Sequence, residues 1–186
     1  MLFRILTVLH TILLRNRFNT IGRKSRVFCK SKIYNRVPGG VSIGDSCTIG
    51  RTKKGYHAGM PFNTTLLNDG DNSHIKIGDN CRINGAYIHA QDFIEIGNNC
   101  VMASGINIID SNAHQVHSLD RTVGRDNPRG ILIGNNVWVG LNVIILKGSI
   151  IGNNCVIAAG SIVKGTFPNN AIIQGNPAAI VGCVRE

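Results

Sequence analysis

The residues best suited to chemistry lie in one polar stretch, Asp110-Ser-Asn-Ala-His114-Gln-Val-His117-Ser-Leu-Asp120-Arg121. Histidine titrates near neutral pH and is the usual general base towards a hydroxyl. A carboxylate such as Asp110, or a backbone carbonyl, can fix its tautomer. A histidine in a polar loop is, alone, only a solvated side chain, so the stretch takes its meaning from whatever holds it. No nucleophile elbow, P-loop or Gly-x-Gly-x-x-Gly accompanies it. The six cysteines form no C-x-x-C, which gives no support to a thiolate metal centre or a disulfide framework. Reduced thiols suit a cytoplasmic location.

On both sides of this stretch the chain keeps a period of six. Ile133, Val139, Ile145, Ile151, Ile157 and Val163 fall at that interval, and Val137, Val143, Ser149, Cys155 and Ser161 fill a second slot four places on. Ile-Gly-Asp-Ser-Cys starts at Ile43, Ile-Gly-Asp-Asn-Cys at Ile77, Ile-Gly-Asn-Asn-Cys at Ile96 and Ile151, and Ile-Gly-Asn-Asn-Val at Ile133. Neither a 3.6-residue helix nor simple alternation gives this pattern. A short strand and a tight corner, repeated, does, with Gly or Asn expected at the positive φ of the corner. Each coil must bury its apolar side on the next, so the prediction is an all-β parallel β-helix. Cys47, Cys81, Cys100 and Cys155 share the inward small-residue slot and read as packing residues, whereas Cys29 and Cys183 stand outside it.

The expected organisation is a basic amphipathic arm over 1–36, a coil domain over 37–181 with a loop excursion over 110–130, and a tail over 182–186. The segment from Arg51 to Asn72 reads as a loop or irregular coil, and the phase slips around His89 and Asp92. Residues 1–54 carry twelve Lys or Arg against the single acid Asp45, whereas 55–186 carry eight against nine. This asymmetry favours anionic partners: phosphate groups, acidic glycans or a lipid surface. No basic motif interleaved with aromatics points to nucleic acid. Met1 to Phe18 is expected to be an amphipathic helix with Leu2, Leu6, Leu9 and Leu13 as its apolar stripe, too short to span a bilayer. Two readings stay open: a helix docked on the body or on a neighbouring subunit, or peripheral contact of residues 1–32 with the inner face of a membrane.

Residues Ile75 to Val181 resemble the hexapeptide-repeat acetyltransferases of the galactoside, maltose and polysaccharide O-acetyltransferase branch. The resemblance rests on Ile133-Gly-Asn-Asn-Val-Trp138-Val-Gly140, on the coil Ile151 to Ser161 and on Gly175-Asn-Pro-Ala178. It implies a left-handed coil of three hexapeptides per turn and a homotrimer with acetyl-CoA between subunits. It implies no metal, and a sugar or glycan acceptor; the basic N-terminal arm favours such an acceptor, free or lipid-linked. By position in the motifs, His114 matches the catalytic base, with His117 as fallback, and Asn84 and Asp92 match acceptor-site residues. The Leu141 N–H after Gly140 would face the thioester oxygen, and Trp138, Ala159, Lys164 and Gly165 would line the pantetheine. The family often carries basic residues near the CoA phosphates where this chain has Ala179 and Gly182, which leaves Lys164, Arg185 or arm residues as substitutes. The rival acceptors are a small amino acid, an amino sugar or an antibiotic. From other classes, a non-catalytic binding module competes, as does a zinc hydratase resembling the γ-type carbonic anhydrases with His89, His114 and His117 as ligands.

Overall fold

The computed structural model describes residues 2–16, 18–50 and 59–185. Helix α1 (Leu2–Leu14) is followed by strands wound into a three-sided, left-handed parallel β-helix. The first face stacks β1 (Asn19–Ile21), β4 (Val41–Ile43), β7 (His74–Ile77), β10 (Phe93–Ile96), β13 (Ile131–Ile133), β16 (Ile150–Ile151) and β19 (Thr166–Phe167). The second stacks β2 (Arg26–Val27), β5 (Thr48–Ile49), β8 (Arg82–Ile83), β11 (Val101–Met102), β14 (Trp138–Val139), β17 (Val156–Ile157), β20 (Ala171–Gly175) and β21 (Ala178–Cys183). The third stacks β3 (Lys32–Asn35), β6 (Thr65–Asn68), β9 (Tyr87–Ala90), β12 (Asn107–Ile109), β15 (Ile144–Leu146) and β18 (Ile162–Val163). The winding runs against the right-handed crossover that most parallel strands adopt.

The six-residue period is the spacing of inward side chains. Ile77, Ile83, Ile96, Met102, Ile108, Ile133, Val139, Ile145, Ile151, Ile157 and Val163 are all buried in one continuous core. Each fully buried aliphatic side chain contributes about 1.5–3 kcal/mol, so stability accumulates coil by coil. Cys47, Cys81, Cys100 and Cys155 are buried one above another. Each thiol donates to a carbonyl of the next coil, at 3.1 Å to Gly78, 3.1 Å to Gly97, 3.2 Å to Gly134 and 3.1 Å to Pro168 respectively.

The corners divide their labour differently from expectation. Asn80, Asn99, Asn136 and Asn154 take the positive φ, between 55° and 60°. The glycines that follow the inward isoleucines do not; they are there for close approach. A Cβ on Gly134 would lie 2.7 Å from Asn153 Oδ1 and 2.8 Å from Asn153 N. The first corner residue also stitches the stack, since the N–H of Asp79 donates to Asn98 Oδ1, Asn98 to Asn135 Oδ1 and Asn135 to Asn153 Oδ1, at 2.7 to 2.8 Å.

Regular pairing begins ahead of residue 37: Asn19–Ile21 pairs in parallel with Val41–Ile43, and Lys32–Asn35 with Thr65–Asn68. The repeat is veiled there because Arg23-Lys24 occupies the corner in place of Asp-Asn. Of the stretch 51–72, residues 51–58 lie outside the described residues and 65–68 form β6. Part of the phase slip falls at Asn84-Gly85: Ile88, five places after Ile83, pairs beside Ile108, six places after Met102. At the far end, β21 folds back antiparallel on β20.

Helix α1 sits on the first coil with a face opposite to the one its leucines suggest. Thr7 and Thr11 are 3% and 4% exposed, whereas Leu9 and Leu13 are 51% and 77% exposed. The Thr11 hydroxyl accepts from Val27 N–H at 2.9 Å and lies 3.2 Å from Val27 O, so it satisfies the open end of the second face. Leu6, Leu9 and Leu13 of the predicted stripe therefore do not dock on the body.

Candidate active site

The excursion leaves the prism between β12 and β13, at the corner joining the third face to the first. Its root is Asp110, which is fully buried and accepts from the N–H groups of Gln91 (2.9 and 3.1 Å) and Asp92 (2.8 Å). Desolvation pushes this carboxyl above the usual carboxylate range, even though those N–H donors pull it down. Asp110 is thus spent on the backbone and does not orient a histidine, contrary to the expectation from sequence. At the loop's return, Arg129 N–H donates to the Asp110 carbonyl at 2.8 Å, and Gly130 N–H donates to Asp92 Oδ2 at 2.9 Å. Midway, Asp126 accepts from Lys147 Nζ and, at 2.9 Å, from Asn112 N–H, and these bonds hold its carboxyl below the usual range.

This frame presents His114. Ala113, immediately before it, adopts φ 63° and donates its N–H to Ser111 Oγ at 2.8 Å. A non-glycine residue in that region is costly and clusters at working sites. His114 is exposed and opens on a cavity of about 470 Å³ that it shares with Asp69, His89, Gln91, Thr122 and Arg125. His89 Nε2 bonds Asp69 Oδ1 at 2.8 Å, both side chains being mostly buried. His117 lines a neighbouring cavity instead, with Asn112, Asp126 and Lys147. With His89 committed to Asp69, the three histidines form no ligand set, and no group of three or more His, Cys, Asp or Glu among the described residues is placed to hold a metal.

A second set of predicted residues stacks along a different corner, between the second and third faces. Asn84 follows β8, Gly140 and Leu141 follow β14, and Ala159 follows β17. Asn84 is 7% exposed, and its Oδ1 is buried with no donor among the described residues. An orphan acceptor of that kind points to a missing partner. Gly140 is dictated by packing: a Cβ there would lie 2.7 Å from Ala159 N. The Leu141 carbonyl accepts from Gly160 N–H at 2.8 Å, while the N–H groups of Leu141 and Ala159 have no acceptor among the described residues. Trp138 lies outward on the second face, 57% exposed. Lys164 and Gly165 follow β18 and belong to the histidine's corner.

Within one chain, then, Asp92, His114, Lys164 and Gly165 share one edge of the prism, and Asn84, Gly140, Leu141 and Ala159 another. The third face lies between them, about 10 Å of strand at 3.3 Å per residue. Asp69, Gln91 and Arg125 were not singled out from the sequence, although all three join His114 at its cavity. Asp69 was hidden in the stretch read as loop, but the phase slip did mark the neighbourhood of Gln91.

Comparison with known proteins gives the arrangement its context. Residues 130–165 match the family model described as bacterial transferase hexapeptide (six repeats). An Escherichia coli K12 protein provisionally assigned as a lipopolysaccharide-biosynthesis O-acetyl transferase is 29% identical over 80% of this chain and 74% of its own. The galactoside O-acetyltransferase of the same organism is 37% identical over 61% of this chain, which spans 56% of that enzyme's length. A galactoside acetyltransferase structure in complex with coenzyme A superimposes with a TM-score of 0.62 at 25% identity, covering 89% of this chain and 65% of that one. Repeat, fold and relatives together make the chain similar to the hexapeptide-repeat acetyltransferases, one of whose structures holds coenzyme A.

Proposed function

We propose that the chain transfers the acetyl group of acetyl-CoA to a hydroxyl of a sugar or surface-polysaccharide precursor, free or lipid-linked, in clefts between the subunits of a cytoplasmic homotrimer. The observation that carries this reading is the division of the site between two edges of the prism. A complete site needs the His114 edge of one chain against the Leu141 edge of the next, and a closed three-fold ring supplies that contact three times.

Acetyl-CoA supplies an activated acyl carbon. His114 takes the proton of the acceptor hydroxyl as its oxygen attacks that carbon; the C–S bond then breaks and the same imidazole returns the proton to the departing sulfur. The free N–H of Leu141 is positioned to hold the carbonyl oxygen as it gains charge, a contribution of about 3 kcal/mol in comparable sites. Asn84 Oδ1, buried without a donor, is suited to accept from a sugar hydroxyl. Asp69, Gln91 and Arg125 give the cavity the polar lining that a hydroxyl-rich acceptor needs. Lys164 and Arg185, both exposed, are the nearest substitutes for the charge missing at Ala179 and Gly182.

The test is His114→Ala, assayed with acetyl-CoA and a panel of sugar acceptors. Loss of a general base lowers turnover by about 10² to 10⁴, with the oligomer unchanged by light scattering. Retention of more than about a tenth of turnover would remove His114 from that role.

A further inference from the structure

We infer that α1 is an interfacial anchor that seats the first coil on an anionic lipid surface. Three observations converge. The helix turns its hydroxyl side inward, through Thr7 and Thr11, and leaves Ile5, Leu6, Val8, Leu9, Ile12 and Leu13 between 43% and 77% exposed. Ile5, Val8, Leu9 and Ile12 fall at helical spacing on one side, so the apolar surface is continuous rather than scattered. Exposed cations accompany it: Arg4 on the helix and Arg15 just past its end, then Arg23, Lys24, Arg26, Lys30 and Lys32 on the coil beneath. The nearby acid, Asp45, is paired with Arg23 at 3.3 Å. Between α1 and β2 lies a cleft of about 420 Å³ lined by Arg4, Thr7, Val8, Arg26 and Phe28, with two guanidinium groups beside apolar side chains. A lipid phosphate fits that combination, its charge against Arg4 and Arg26 and its glycerol end against Val8 and Phe28.

The charge also decides among occupants. With Arg23 offset by Asp45, a second copy of this end would still bring six unpaired like charges against six, whereas an anionic bilayer neutralises them. At 13 residues the helix is about 20 Å long, short of the roughly 30 Å hydrocarbon core, so it lies in the surface plane. This surface stands independently of the acetyl-transfer reading, and its test requires neither donor nor acceptor.

The full chain is sedimented with phosphatidylcholine vesicles and with phosphatidylcholine–phosphatidylglycerol vesicles, at low and high salt. Wild type should bind the anionic vesicles at least about tenfold more strongly, and less so as salt is raised. Leu9→Asp combined with Leu13→Asp replaces exposed side chains, so the thermal midpoint should hold while vesicle binding falls at least about tenfold. Arg4→Gln with Arg26→Gln should abolish the preference for anionic lipid. Absence of wild-type binding at low salt overturns the inference, as does binding indifferent to the Leu9/Leu13 pair. If the aspartate pair instead changes the oligomeric state and wild type ignores vesicles, the face belongs to a second copy.

Discussion

Lys147 stands on the prism and Asp126 on the loop, and their ion pair ties the segment that carries His114 to a rigid support. Because Lys147 holds the Asp126 carboxyl below its ordinary value, the tie is complete above the unfolded carboxylate pKa of about 3.9 and is lost as pH falls through the lower folded value. Asp110 has the opposite sign: its raised folded value means that its contribution is present below the unfolded pKa and lost as pH rises through the raised one. Acidification should therefore release the middle of the loop before its root. Lys147→Met should speed amide exchange across 112–127 at neutral pH by about tenfold, a change equivalent to about 1.4 kcal/mol, while exchange at Gln91 and Asp92 is unchanged. If the exchange pattern is the same in both proteins, the pair does not hold the loop. None of this was legible in the sequence, since Asp126 and Lys147 are 21 residues apart and belong to no motif. His114 was legible as a candidate because polarity and an interrupted repeat surround it. Its relation to Asp110 was misread because spacing cannot tell whether a carboxylate faces a side chain or the backbone.

At the level of the corner, glycine and asparagine look interchangeable in sequence but do different work. Gly134 is held by the approach of Asn153, and Asn136 by its φ of 55°. Gly134→Ala should cost about 1–3 kcal/mol through overpacking and lower the thermal midpoint by several degrees. Asn136→Gly keeps an accessible conformation and loses mainly the 3.1 Å bond to Asn154 Oδ1, so its effect should be about 1 kcal/mol or less. Equal destabilisation by the two, measured by calorimetry, would contradict this division. The coils from Ile75 onward could be read from sequence because nearly every inward slot holds a branched or small residue, with Met102 and Phe167 among the exceptions. The first coil could not, because basic residues fill its corner, and the inward face of α1 was not legible because burying two threonines contradicts hydropathy. The Thr11 hydroxyl is needed where β2 would otherwise leave the Val27 N–H unpaired.

At the scale of the whole molecule, the division of the site predicts complementation. His114→Ala and Asn84→Ala remove residues from different edges, so on the proposed trimeric arrangement mixed oligomers formed by co-expression would contain some clefts with both native side chains. Co-expressed variants should recover at least about tenfold more turnover than the His114→Ala parent, given the 10² to 10⁴ loss expected there. Recovery no greater than that of the parents would place both residues in one chain's site. The sequence gives no sight of this separation, because linear spacing says nothing about which edge of a prism a corner occupies.

A stack of parallel coils has two open termini, each offering unpaired peptide groups to the next molecule. Here Thr11 of α1 bonds Val27 at one terminus, and β21 turns back against β20 at the other. Head-to-tail growth into fibres is thereby blocked at both poles. That leaves the flanks for the lateral, closed association proposed above, which gives a finite particle instead of a filament.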